Sequence, residues 1–231
     1  MKAFRDLKCI SFDFDDTLWP VQPTILQAEA KLNEWLQQHC PRLMQEQDRD
    51  SLRQHMLDYA GRHPEYNHDV SLRRLNALGE LMHQYQYELA LAEQAMLVFR
   101  QQRNQVIPFA DTCKTLSLLR EHYRLIGITN GNAQIEQTAL QGYFDFTICA
   151  SDVGALKPDP MVFERAIMQA EIEPAQMLHV GDHAEADVVG ALRAGCRAVW
   201  FNAARRDWPG GQNPDAVIHC LAEMIDLLQL R

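Results

Sequence analysis

The feature that most constrains this chain is a strand with no neighbour. Residues 8–14 (KCISFDF) are short, apolar and rich in Ile, Phe and Cys, and they end in acids. A lone strand cannot satisfy its own backbone donors and acceptors, so it must join a sheet. The next stretch offers none. From about residue 23 to residue 103 the apolar positions repeat at helical spacing. Ile25, Ala28, Leu32, Trp35 and Leu36 share one face, followed by Leu52, Met56 and Tyr59, then Leu72, Leu75, Leu78 and Met82, then Leu89, Ala92, Met96 and Phe99. Four amphipathic helices in succession would form a small bundle of their own.

Strand-like segments return after Val106, at residues 123–129, 146–150, 177–181, 197–202 and 216–220. Helical patterns fall between them, near 111–122, 133–142, 160–171, 185–194 and 221–230, with Gly195 reading as a helix C-cap. Such alternation implies right-handed βαβ units and a covered, mostly parallel sheet. The first strand is accommodated if it joins that sheet, which makes the helical block an insertion. Pro20 and Pro23 mark one junction and Pro108 the other. The expected class is therefore α/β: a Rossmann-like, mostly parallel core of residues 1–18 and 106–231, with an all-helical domain inserted at 19–105.

Charge narrows the partners. The net charge is −9, from 22 Lys+Arg against 31 Asp+Glu, the opposite of the basic stripe that meets a phosphate backbone. No nucleic-acid partner is expected. No apolar run approaches the roughly 20 residues that span a bilayer, and the first residues lack a signal-peptide pattern, so neither a membrane nor secretion is expected. The six cysteines, Cys9, Cys40, Cys113, Cys149, Cys196 and Cys220, are scattered with no zinc-type spacing, and read as buried free thiols of a cytoplasmic protein. The sequence does not choose between a monomer and a homodimer.

In an open parallel sheet the ligand site lies beyond the carboxyl ends of the strands. The first strand ends in Asp13-Phe14-Asp15-Asp16-Thr17, and the second in Thr129-Asn130-Gly131-Asn132. The third leads to Lys157-Pro158, and the fourth to Gly181-Asp182, with Asp187 five residues on. Each piece alone is commonplace: T-N-G-N is usually a turn, and G-D often only caps the next helix. Four strand ends delivering acids, a hydroxyl and a lysine to one edge are not.

The segments CISFDFDDT, LIGITN, LKPDP and HVGDHAEAD resemble the four signature motifs of the haloacid dehalogenase superfamily. The resemblance covers essentially the whole chain, because the helical insertion stands where that superfamily places its C1-type cap. ITNGNAQ and HDVSLRR are further similar to a bacterial subgroup of phosphatases. That subgroup acts on flavin mononucleotide and on 5-amino-6-(5-phosphoribitylamino)uracil, the phosphorylated intermediate of riboflavin synthesis.

The resemblance implies a Mg²⁺-dependent phosphatase of small-molecule phosphate monoesters. Asp13, the backbone carbonyl of Asp15 and Asp182 would hold the metal, with Asp187 behind them orienting a metal water or holding Lys157. Asp13 would be the nucleophile, forming an aspartyl-phosphate, and Asp15 the general acid and then base. The Thr129 hydroxyl, the N–H groups of Asn130 and Gly131, and the Lys157 charge would hold the phosphoryl oxygens. True dehalogenases of the superfamily need no Mg²⁺ and lack an acid at the Asp15 position, so Asp15 and Asp182 favour the phosphatase. A phosphomutase, or a non-catalytic phospho-ligand- or partner-binding protein on the same scaffold, is the alternative. Within the cap, His68, Arg73 and Arg74 are candidates for the leaving group, the alternative being a plain helix cap with exposed arginines, and Trp19 either stacks on a base or flavin ring or packs the hinge. Asp16 stands where many members carry Gly, and His183 where a small polar residue or acid is common. The cellular substrate does not follow.

Overall fold

The computed structural model describes residue 4 and residues 6–230. Residues 1–3, 5 and 231, at the ends of the expected core, lie outside the described residues. Six strands form one sheet: β1 (Cys9–Phe12), β2 (Arg124–Thr129), β3 (Phe146–Cys149), β4 (Met177–Gly181), β5 (Arg197–Phe201) and β6 (Ala216–Ile218). Every pairing is parallel, and the order is β3-β2-β1-β4-β5-β6. The strand that had no sequence neighbour sits at the centre, buried along its whole length between β2 and β4. From β1 the chain winds outward through β2 and β3, then returns to the other side of β1 for β4, β5 and β6. The winding reverses between β1 and β4, and a crevice opens at such a switch point beyond the strands' carboxyl ends.

The chain divides into two compact units. One runs to Pro20, takes in Ile107–Gly131 and continues from Ile135; the other comprises Val21–Val106 and Asn132–Gln134. The first holds the sheet with α6 (Thr112–Arg120), α7 (Ala150–Val153), α8 (Pro160–Ala170), α9 (Gly190–Arg193) and α10 (Glu223–Leu227). Its core gathers Ile126, Ile128, Val162, Phe163, Ala166 and Ala198.

The helical unit has five helices rather than four: α1 (Val21–His39), α2 (Pro41–Glu46), α3 (Arg49–Arg62), α4 (Val70–Gln84) and α5 (Ala90–Arg103). The extra one, α2, starts at Pro41, whose fixed φ suits a first helical position. The expected apolar stripes pack inward, with Ala28, Leu32 and Leu36 against Leu78, Met82, Met96 and Phe99. Two residues depart from their stripes: Leu89, just before α5, is 63% exposed, and Leu72, the third residue of α4 beside its cap, is 38% exposed. The α4 cap is Asp69, whose side chain accepts from the N–H groups of Ser71 and Leu72.

Two helix expectations are corrected. Residues 133–142 hold one helical turn at Ile135–Gln137 followed by a non-helical turn at 139–142. Thr138 turns its hydroxyl onto the Ile135 carbonyl at 2.9 Å and receives the Leu140 N–H at 3.1 Å, so its side chain replaces helix bonds. In 185–194 the segment Ala184–Val189 is a wider π-type turn and α9 begins only at Gly190. There the His183 carbonyl takes both the Asp187 N–H (2.9 Å) and the Val188 N–H (3.4 Å). Gly195, with φ +81°, does follow the helix end as a C-terminal cap. All six cysteines are free thiols, but Cys220 is exposed, and Cys113 and Cys149 are half-buried rather than buried. No helix among the described residues is long and apolar enough to cross a membrane.

Candidate active site

Lys157 is the hub at the carboxyl edge of the sheet. Its side chain is 1% exposed, and Nζ donates to Asp13 Oδ1 (2.8 Å), Asp187 Oδ1 (2.6 Å) and the Ile128 carbonyl (2.7 Å). Three donors meet three acceptors, so the ammonium is saturated and acts on anything further as a charge. Asn130 fixes the lysine's backbone: its side-chain oxygen accepts the Lys157 N–H (2.8 Å), and its amide nitrogen donates to the Lys157 carbonyl (3.0 Å). The turn after β2 therefore reaches across to position the lysine as well as presenting N–H groups. The Gly131 N–H is turned onto the Thr129 hydroxyl at 2.9 Å.

Asp13 continues β1, its own N–H bonded to the Val180 carbonyl of β4 at 2.9 Å. Burial pushes its carboxyl up to about 8, against the pull of Lys157 and with Asp187 adding repulsion. Asp187 is buried too, yet the charge of Lys157 and the bond from His179 overcome desolvation and hold it well below the usual carboxylate range. It also accepts the His183 N–H at 2.9 Å. The Gly181 position is explained by the same carboxyl, since a Cβ there would run into the Asp187 side chain. Asp182 is raised to about 6 by burial and by its neighbours Asp187 and Asp16.

One carboxylate oxygen from each of Asp13, Asp182 and Asp187 lies within 4.8 Å of the others. Three acids thus cluster at one ammonium, which touches Asp13 and Asp187, and Asp13 and Asp182 are strained toward neutrality. That is the charge balance a divalent cation closes, and an all-oxygen set is the kind Mg²⁺ takes. Because Asp187 is engaged by three donors, Asp13 and Asp182 are the carboxylates suited to it.

The buried polar chain extends below the site, where sequence reading had singled out nothing. Ser11 and His179 are register partners on β1 and β4, with Ser11 Oγ 2.8 Å from His179 Nδ1. His179 Nε2 lies 3.3 Å from Asp187 Oδ1, and burial lowers the ring's pKa despite that carboxylate. A neutral imidazole donating from Nε2 and accepting the Ser11 hydroxyl at Nδ1 satisfies both contacts. The available signal was a serine and a histidine inside two otherwise apolar central strands.

Other expected site residues fall elsewhere. Trp19 takes the packing role of its two expected ones and not the stacking one: it is fully buried, packed against Phe14 with ring centroids 5.5 Å apart, and its Nε1–H donates to Asp15 Oδ1 at 2.8 Å. A large indole is better satisfied inside, with its one donor spent on the neighbouring acid. Arg74 lies within the helical unit, its guanidinium 3.8 Å from the Phe99 ring centroid, and burial pushes it down to about 10. Arg73 donates to Asn67 Oδ1 at 3.0 Å, and His68 sits half-buried just before Asp69. Asp16 takes φ +58°, and His183 caps the π-type turn by accepting the Ala186 N–H at its ring (3.1 Å).

The model of the haloacid dehalogenase-like hydrolases matches residues 7–195, which carry all four strand-end motifs. The chain belongs to that family. Among hydrolases of the family it is similar to the 5-amino-6-(5-phospho-D-ribitylamino)uracil phosphatase YigB of Escherichia coli (strain K12), with 32% identity over 241 aligned residues, spanning 99% of this chain and 100% of YigB. A glyceraldehyde 3-phosphate phosphatase of Methanopyrus kandleri is 25% identical over 96% of this chain and 97% of its own. A solved structure named as 2-haloacid dehalogenase, from Pseudomonas syringae pv. Tomato DC3000, superposes with a TM-score of 0.90 at 35% identity, covering 96% of this chain and 98% of that one. The proteins this chain is similar to thus include enzymes named for phosphate esters and for haloacids.

Proposed function

We propose that this hydrolase is a Mg²⁺-dependent phosphatase of small phosphate monoesters. Its leading substrate candidates are 5-amino-6-(5-phosphoribitylamino)uracil, as in the name of the full-length relative, and flavin mononucleotide. The observation that carries the reading is the cluster of Asp13, Asp182 and Asp187, the first and last of them paired to the single ammonium of Lys157. Mg²⁺ on Asp13, Asp182 and the Asp15 carbonyl would neutralise phosphate charge and screen it from these acids. The acid at the Asp15 position, which the superfamily's true dehalogenases lack, favours the phosphate ester over the haloacid.

Within that reading each residue has one task. Asp13 attacks phosphorus, and Lys157, fixed by Asn130 and Asp187, supplies fixed positive charge beside it. Asp15 gives its proton to the leaving alkoxide, then takes one from the water that hydrolyses the aspartyl-phosphate. Thr129, Asn130 and Gly131 offer donors to the phosphoryl oxygens, which requires the Gly131 N–H to leave the Thr129 hydroxyl. The helical unit serves as the cap that excludes water, with His68 and Arg73 as its candidate contacts. The free thiols support a cytoplasmic location.

The deciding assay is release of inorganic phosphate from both candidates and a panel of sugar phosphates, with Mg²⁺ and with EDTA. The expected result is release that EDTA abolishes. Halide release from 2-haloacids without metal, and no phosphate from any ester, would replace this reading with the dehalogenase.

Trp19 makes the acid role testable. Trp19→Phe keeps the aromatic packing on Phe14 but removes the donor that holds Asp15. Hydrolysis of an alkyl phosphate is expected to slow by about tenfold, roughly the worth of one charge-assisted hydrogen bond. p-Nitrophenyl phosphate, whose leaving group needs no proton, should be affected far less. Equal losses on both substrates would sink the acid assignment.

Stability should report the metal as well. Asp13 and Asp182 have folded values of about 8 and about 6, above the unfolded carboxylate near 4. The stability they contribute is full below the unfolded value and is lost as pH rises through 6 and then 8. Asp187, held low, has the opposite sign and loses its contribution only in strong acid. Metal-free protein is therefore expected to melt at lower temperature at about pH 8 than at about pH 5. Mg²⁺, which needs both acids ionised, should raise Tm more at the higher pH. A Mg²⁺ effect that is equal at both, measured by scanning calorimetry, would contradict this.

A further inference from the structure

Beside Asp182 the sheet unit carries a cavity of about 270 Å³ that the proposed chemistry leaves unused. It is lined by the acids Asp16 and Asp182, by the aromatic Phe109 and Phe201, and by Arg206 of the loop after β5. All of these belong to the sheet unit.

The cavity is built rather than a gap between loose loops. Phe109 is anchored by its N–H to the Leu18 carbonyl at 3.0 Å, and its ring meets Phe201 with centroids 5.8 Å apart. Phe201 is buried while Phe109 is half-buried. The loop carrying Arg206 is closed by Asn202, which is 6% exposed. Asn202 donates from Nδ2 to the Arg206 carbonyl (2.8 Å) and accepts the Arg206 N–H at Oδ1 (2.9 Å). Its backbone N–H is itself tied to Ile218 of β6 at 2.7 Å. A buried amide is thus committed to holding an exposed arginine at the rim, and no salt bridge of the described residues engages its guanidinium.

We infer that this cavity is the subsite for the leaving group, and that the group it takes is a neutral planar ring with carbonyl oxygens on its edge. Aromatic side chains offer such a ring a flat apolar wall. The guanidinium fork donates in one plane, which matches adjacent carbonyl oxygens on a heteroaromatic edge. A second anion on the substrate would face Asp16 and Asp182 across the same space, so a sugar bisphosphate or nucleoside diphosphate is disfavoured. The inference rests on the phosphatase reading for its substrate and adds a specificity determinant in the sheet unit, apart from the helical one.

The test compares two esters that share a ribityl phosphate, flavin mononucleotide with the ring and ribitol 5-phosphate without it. Wild type is expected to favour the flavin ester in kcat/KM. Arg206→Ala and Phe109→Ala should each cut that preference by about tenfold, mostly through KM. Riboflavin, followed by its fluorescence, provides a readout independent of turnover: it should bind wild type and be weakened in both variants. If neither ester releases phosphate while riboflavin binding still depends on Arg206, the phosphatase reading fails and the subsite stands. An unchanged substrate preference in both variants, or riboflavin binding that is absent or indifferent to them, overturns the subsite.

Discussion

Asp13→Asn is expected to lower phosphate release at least about a thousandfold, because the amide cannot attack phosphorus. The fold should survive. Burial already pushes the Asp13 carboxyl up to about 8, so a neutral isostere relieves a desolvation cost, and its oxygen can still accept the Lys157 ammonium. The metal-free variant should therefore melt no lower than wild type at about pH 8, while the Mg²⁺-induced rise in Tm shrinks. Turnover and calorimetry on the same preparation check both parts. Retention of wild-type turnover would remove Asp13 from the chemistry.

Lys157→Met should be costly in two separable ways. Removing one partner from a buried ionic cluster typically costs about 3–5 kcal/mol, since the remaining charges are left unpaired. For a chain of this size that corresponds to a fall in Tm on the order of 10 °C. Phosphate release should drop by about a hundredfold or more, as fixed charge beside the transferring group is lost. The double variant Lys157→Met/Asp187→Asn removes the stranded carboxylate and should regain part of the stability without regaining the rate. A double variant that recovers both would mean the lysine is only structural.

The strands were the most legible part of this protein, because each is a short apolar run bounded by turn residues. All six appear within a few residues of their expected spans. The site was legible for a related reason: a parallel sheet brings its strand ends to one edge, so residues 13, 129, 157 and 182 could be grouped before any distance was known. What escaped was whatever depends on partners distant in sequence. Residues 133–142 carry a plausible helical pattern, but Thr138 satisfies the local backbone itself. Trp19 beside an acid motif reads either as a ligand surface or as hinge packing, and its contacts with Phe14 and Asp15 decide for packing. The coupling of His179 to Ser11 required the register between β1 and β4, which no single strand encodes.

The segment Asn132–Gln134 has a consequence for anyone treating the two units as exchangeable modules. Arg103 donates to the Asn132 side chain at 3.2 Å, Asn132 to Ser71 at 3.1 Å, and the Gln134 N–H to Asn104 at 3.0 Å. The helical unit is thus stitched from two stretches of chain, the second immediately following the Thr129-Asn130-Gly131 turn. A chimaera made by transplanting Val21–Val106 alone would carry a graft whose seam is incomplete, and the mismatch would fall directly beside the Thr129-Asn130-Gly131 turn. Swaps of substrate range within this family should therefore move the tripeptide together with the insertion.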